Sequence, residues 1–274
     1  MPNNPLLEAD SPLRKSDKPP HDSEALIQLS DAPLREKVDM AIFGYVPDFL
    51  RASIRLSGID PARGGRAAAV FLAHAGASAQ AAGTDGTRGP DDPRLAAWHT
   101  AYATVGLPAD LVPPPELLAA WAAAPGGVPS QGALADLANA FSLLHRIPVA
   151  VYDLDAVRGD LWLRPSRGCE HFLALGTDVP ISPALGEIIL ADTEEEVFAR
   201  HWHGRQGRPA MAGPGARDVL VQMDLLPPAT DEAAVLADAF IRLATGFLGG
   251  RAAVQWLNWD TPQVQWDRQA PVDA

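Results

Sequence analysis

The chain is short of the residues that staple small exported domains: Cys169 is its one cysteine in 274 residues. A lone cysteine cannot close an internal disulfide, which fits a reducing cytoplasm and excludes a disulfide framework. No run reaches the roughly 18 apolar residues that a membrane-crossing helix requires. The opening MPNNPLLEADSPLRKSDKPP also lacks the basic end and apolar stretch of a signal peptide, so no membrane is expected as a partner. Positive charge is scarce too, with 22 Lys+Arg against 34 Asp+Glu and a net charge of −12. General binding to nucleic-acid phosphates runs on counterion release by basic residues, so DNA is not expected and any polynucleotide contact must be local. GxxxxGK, GxGxxG and GxSxG are all absent, and no cofactor is implied.

What is present suits one large domain. A chain of this length buries about 70–75% of its unfolded surface, enough for a core without metal or disulfide. Residues 1–37, rich in Pro, Asp, Ser and Lys, read as a flexible segment, residues 38–260 as a single domain and 261–274 as a tail. AIFGYV reads as a strand, DFLRASIRLSGI as a stretch ended by Gly58, and AGASAQAAGTDGTRGPDD as an exposed loop. Leu95, Trp98, Tyr102 and Val105 form one stripe of a helix started by Asp92, and Leu134, Leu137, Phe141 and Leu144 form another, with Asp136 and Asn139 opposite. From VAVYDLD onward the period changes to two, through DLWLRPS, HFLALG, EIILAD, EVFARHWH and DVLVQMDLL. A last helix follows, opened by Thr230 and closed at Gly249. Helices, then strands, then a helix predict an α+β fold.

Several residues invite a chemical reading. His201 and His203, one residue apart in an expected strand, would share a face, but no third and fourth metal ligand is evident, and no metal site is assigned. Cys169 and His171 would likewise share a face without Glu170 between them, and an inert cysteine is the simpler reading. Glu194–Glu196 reads as a solvated hairpin turn. Trp256, Trp259 and Trp266 read as core or an oligomer contact, whereas HWHGRQ interleaves an aromatic and two polar side chains with arginine. That stretch stands out because Arg200, Arg205, Arg208 and Arg217 follow one another there with no acid between them.

ALADLANAFSLLHRIPVAVYDLDAVRGDLWLRPSRGCEHFLALG, then GEIILAD, then ARHWHGRQ, resembles stand-alone relatives of the B3/B4 editing domain of the phenylalanyl-tRNA synthetase beta subunit. The resemblance spans roughly residues 40–226 and carries several motifs in one order. It implies a three-layer sheet/sheet/helix fold whose pocket takes a tRNA 3′ end carrying an amino acid. The activity it implies is a trans-acting hydrolase that deacylates misaminoacylated tRNA; a binding module without turnover is the alternative. Position by position, Asn139 and Glu170 take the catalytic roles, while Asp136, Asp153, Gly168, Arg200, Trp202, Arg205 and Gln206 hold substrate or tRNA. On this resemblance Arg200 and Arg205 hold phosphates, Trp202 stacks on a base or sugar, and Glu170 or Asp153 meets the α-ammonium group. The chain departs from the synthetase pattern at Ala150, Ala138 and Gln222, where that pattern has His, Thr and Glu. These departures imply either a pocket of different shape or the loss of hydrolysis.

Overall fold

The computed structural model describes residues 33–84, 92–208 and 211–268. Most of the segment read as flexible, residues 1–32, lies outside them. Ten strands and six helices are described: β1 (Leu34–Val38), α1 (Met40–Tyr45), β2 (Leu50–Ser57), α2 (Pro61–Thr84), α3 (Pro93–Thr104), α4 (Pro114–Ala123), α5 (Ala133–His145), β3 (Val149–Asp153), β4 (Leu161–Pro165), β5 (Ile188–Asp192), β6 (Val197–Arg200), β7 (Arg205–Gln206), β8 (Asp218–Leu225), α6 (Ala233–Leu248), β9 (Arg251–Leu257) and β10 (Gln263–Trp266). The fold is α+β in three layers, as expected. A six-stranded sheet, β10-β1-β4-β5-β6-β7, faces a four-stranded antiparallel sheet, β3-β8-β2-β9, and helices cover the other side of the latter.

Period-two alternation in β2 and β8 creates the two inner layers. Ala52, Ile54 and Leu56 with Val219, Val221, Met223 and Leu225 point toward the helices, where Phe141 of α5 and Leu236 and Phe240 of α6 close an apolar core. The alternate residues, Arg51, Ser53 and Arg55 with Leu220, Gln222 and Asp224, are also buried, against the six-stranded sheet. Buried charge must be paired to be tolerated. Glu36 of β1 accepts from Arg51 Nη1 (3.3 Å), Gln222 Nε2 (2.6 Å) and the Ser53 hydroxyl, so the layer between the sheets is a satisfied polar seam within an apolar one.

Four local expectations are corrected. AIFGYV is the helix α1, because the Asp39 carboxylate caps it at the Ala41 N–H (2.9 Å) and its short run buries only Ile42 and Phe43. The small-residue stretch read as a loop is helical as far as Thr84, and its remainder, 85–91, lies outside the described residues. Alanine favours helix, and small side chains let α2 press closely on its neighbours: a Cβ on Gly76 would stand 3.4 Å from the Ala122 Cβ of α4. The domain extends past 38–260 at both ends, since Leu34 pairs with Trp266 and Lys37 with Gln263. Thr230 makes no capping bond; a short 3₁₀ turn, Ala229–Glu232, leads into α6 instead. The α3 stripe holds, with Leu95, Trp98 and Tyr102 buried and Asp92 accepting from the Arg94 N–H at 2.9 Å.

Candidate functional site

The edge strands of the two sheets, β3 and β7, meet the N-terminal part of α5 around a cavity of about 160 Å³. That is close to the roughly 150 Å³ engineered cavity that takes benzene, so it suits one small side chain or ring. Leu134, Ala138, Pro148, Val151 and Met211 supply apolar wall; Gln131, Asn139, Tyr152, His203 and Gln206 supply polar groups. Among the described residues no carboxylate, lysine or arginine lines it.

Asn139 sits half-buried on α5, nearly two turns after the helix start, and its carboxamide has no hydrogen-bond partner among the described residues. Gln206, on β7, donates from Nε2 to the Val151 carbonyl of β3 (2.8 Å), tying the two sheet edges across the cavity. Gly207 closes β7 behind it: a Cβ there would meet the Val197 carbonyl oxygen at 2.5 Å, so only glycine fits. Arg205 is exposed and has no ion-pair or hydrogen-bond partner among the described residues. Asn139 and Gln206 are therefore the two expected site residues brought together at the cavity, with Arg205 next to Gln206 on the edge strand.

The other expected residues stand elsewhere, each for a visible reason. Glu170 is fully buried and is not part of the cavity wall. Its carboxylate accepts from the Ser166 hydroxyl (2.7 Å), the backbone N–H groups of Arg167 (2.9 Å), Gly168 (3.0 Å) and Cys169 (3.2 Å), and the Arg164 guanidinium. Burial alone would raise its pKa; those donors outweigh burial and hold it at about 2. Gly168 is the left-handed residue, φ +81°, that lets three successive N–H groups turn onto that carboxylate. The expected catalytic acid is thus a loop anchor, with no lone pair left for an ammonium group.

Asp136 is likewise buried, accepting from the Ser130 hydroxyl (2.5 Å) and the Gln131 N–H (2.8 Å); it shapes the loop that carries Gln131 to the cavity. Asp153 caps the 3₁₀ turn Leu154–Ala156 through the Asp155 N–H (3.0 Å). Arg200 is spent on Glu187, with Nε at 2.7 Å and Nη2 at 2.6 Å from its two oxygens, and lies 5.5 Å from the Phe172 ring centre. Both arrangements correct the phosphate and ammonium roles read from the sequence.

Trp202 departs furthest from expectation. It is 1% exposed, at φ +64°, and packs edge-on against Phe49 (5.3 Å) and Trp98 (5.6 Å), so no base can stack on it. The stretch His201–Gly204 is a turn between β6 and β7, not a strand, and the two histidines diverge. His201 Nε2 faces Glu187 at 3.4 Å, whereas His203 Nε2 lies 2.7 Å from Asp224 Oδ2. Among the described residues no group of three or more His, Cys, Asp or Glu could hold a metal ion.

Sequence reasoning missed His203 as a wall residue and Asp224 beneath it. Asp224 is 1% exposed and accepts from Arg51 Nε (2.6 Å), Arg51 Nη2 (2.7 Å), Trp202 Nε1 (3.2 Å) and His203 Nε2 (2.7 Å). Burial opposes its charge, but Arg51 and His203 hold its carboxyl far below the usual range. Facing an anion, His203 Nε2 carries the ring proton and Nδ1 accepts from the Tyr102 hydroxyl at 3.2 Å. Burial keeps this ring neutral, lowering its pKa despite Asp224. The available signal was an aspartate and a glutamine at alternate positions of β8, which stand opposite Arg51 and Ser53 of β2. Gln222, where the synthetase pattern has Glu, is part of the same buried seam and not of the cavity.

The B3/4 domain family matches residues 97–237, just over half of the chain, and the chain belongs to that family. Every residue lining the cavity falls inside the matched stretch. No curated protein matches the chain. Among solved structures, an N-terminal fragment of the phenylalanyl-tRNA synthetase beta-subunit from Pyrococcus horikoshii is similar at a TM-score of 0.36 and 11% identity, over 44% of this chain and 42% of that one. This chain therefore spans less than half of that fragment's length. No helix among the described residues is long and apolar enough to cross a membrane.

Proposed function

We propose that the cavity receives the aminoacyl end of a charged tRNA and that the chain hydrolyses the ester in trans. The observation that carries this reading is a cavity of about 160 Å³ walled by uncharged polar groups, with the unpartnered carboxamide of Asn139 in it and Arg205 exposed beside Gln206. An aminoacyl ester is already activated, so positioning a water and stabilising the developing oxyanion suffice. Water adds to the carbonyl carbon, the bond to the ribose oxygen breaks, and the proton ends on that oxygen. Asn139 holds the water or the carbonyl oxygen, Gln206 shapes the opposite wall, and Arg205 meets a terminal phosphate.

One observation favours a second reading, retention without turnover. His203, the one histidine in the wall among the described residues, has both ring nitrogens engaged, and burial lowers its pKa. The two are separated by presenting a panel of correctly and incorrectly charged tRNAs to the purified protein and to Asn139→Ala and Arg205→Ala forms. Selective deacylation that falls in both variants supports the hydrolase. Retention of charged tRNA with no deacylation of any member supports the binding module, and neither retention nor deacylation overturns both.

A further inference from the structure

The turn that presents Arg205 and Gln206 is held by two carboxylates: Glu187, which accepts from the His201 N–H at 3.2 Å, and the buried Asp224, which takes the two residues that follow. His201 (φ 51°) and Trp202 (φ 64°) are both left-handed, a conformation that costs energy for residues with side chains and persists only where the surroundings enforce it. The enforcement is visible. Asp224 of β8 takes the indole N–H of Trp202 (3.2 Å) and the Nε2–H of His203 (2.7 Å) on one oxygen, so it grips two consecutive turn residues. Arg51 of β2 grips Asp224 in turn through both oxygens, at 2.6 and 2.7 Å. Because β8 and β2 belong to the four-stranded sheet and the turn to the six-stranded one, this carboxylate registers one sheet against the other at the cavity.

We propose that Asp224 is a positioning residue: acting through Trp202 and His203, it sets where Arg205 and Gln206 stand relative to Asn139. It touches no ligand itself. Its effect on tRNA rests on the reading given under Proposed function; its effect on the turn does not.

The test pairs Asp224→Asn, which leaves the Trp202 ring whole and removes the charge that grips it, with Trp202→Phe, which deletes the indole N–H bond together with part of the buried ring, so that one reports if the other fails to fold. Amide hydrogen exchange is followed at Trp202, His203 and Gly207, whose N–H groups donate to Ile188, His201 and Phe198. Loss of a bond to a charged acceptor predicts exchange about tenfold faster at these amides with β2 unchanged. Retention of charged tRNA is then compared for Trp202→Phe, Arg205→Ala and the double variant. If the turn acts through Arg205, Trp202→Phe weakens retention about three- to tenfold alone and adds nothing once Arg205 is gone.

Unchanged exchange at the turn overturns the proposal. So does faster exchange whose cost in retention is fully additive with Arg205→Ala. Faster exchange with Arg205→Ala itself inert toward tRNA leaves Asp224 as the positioning residue of the turn and removes the tRNA reading instead.

Discussion

Two places in this molecule attracted a catalytic reading, and they are built in opposite ways. Around Glu170, a fully buried carboxylate is surrounded by backbone N–H groups, a serine and an arginine until every acceptor site is used. Around Asn139, an amide stands half-buried in a cavity wall with no partner among the described residues. Buried polar groups are normally satisfied, so saturation marks structure and an unused donor at a cavity marks capacity to bind. The charged residue is the saturated one here, and the neutral residue is the one left with open donors and acceptors among the described residues.

That contrast can be broken at either end. The largest expected effect is on stability: Glu170→Gln leaves Arg164 without its buried counter-charge and should cost roughly 3–5 kcal/mol in denaturant unfolding. In surviving folded protein, tRNA deacylation per molecule should be unchanged; a selective loss of turnover at full stability would restore Glu170 to catalysis. Next in size, Asn139→Ala should lower kcat/KM for deacylation about tenfold to a hundredfold, or about 1.4–2.7 kcal/mol. Its unfolding midpoint should barely move, because the carboxamide has no hydrogen-bond partner to lose among the described residues. Arg205→Ala should weaken tRNA retention and reduce the salt dependence by about one counterion; an unchanged slope of log affinity against log salt would exclude the phosphate contact.

The smallest effect is a pH dependence. Burial, with a smaller push from Arg51, lowers the His203 pKa from its ordinary 6.5 against the opposing pull of Asp224. The unfolded chain then binds the proton first as pH falls, so the stability owed to the neutral ring is complete above about pH 6.5 and is lost as pH drops through the lower folded-state value. Unfolding of a His203→Gln form should show a flatter profile across that window. Identical profiles would mean the ring does not titrate with folding.

Much of this was legible from local pattern. The stripe of α3, the capped helix start at Asp92 and the period-two strands from β3 to β6 follow from apolar spacing alone. Asn139 and Gln206, named from motif order, lie on elements that converge at the cavity. The failures share one cause, partners far along the chain. Nothing near Arg200 announces that Glu187 will take both ends of its guanidinium, and nothing near Trp202 announces Asp224. The strands β1, β2, β9 and β10 were missed because their partners too lie far along the chain, β1 pairing with β4 and β10, and β2 with β8 and β9.

The pairing of β1 with β10 reaches beyond the finished structure. Leu34 meets Trp266, so the first described strand waits for the last described one before its outer edge is covered. Such distant pairings close slowly, because loop entropy is lost before contacts are gained. During synthesis β1 can dock on β4 long before β10 leaves the ribosome, and until then it presents an open strand edge to neighbouring nascent chains. The timing of translation therefore decides how long this protein is exposed to mispairing, well before any ligand is met.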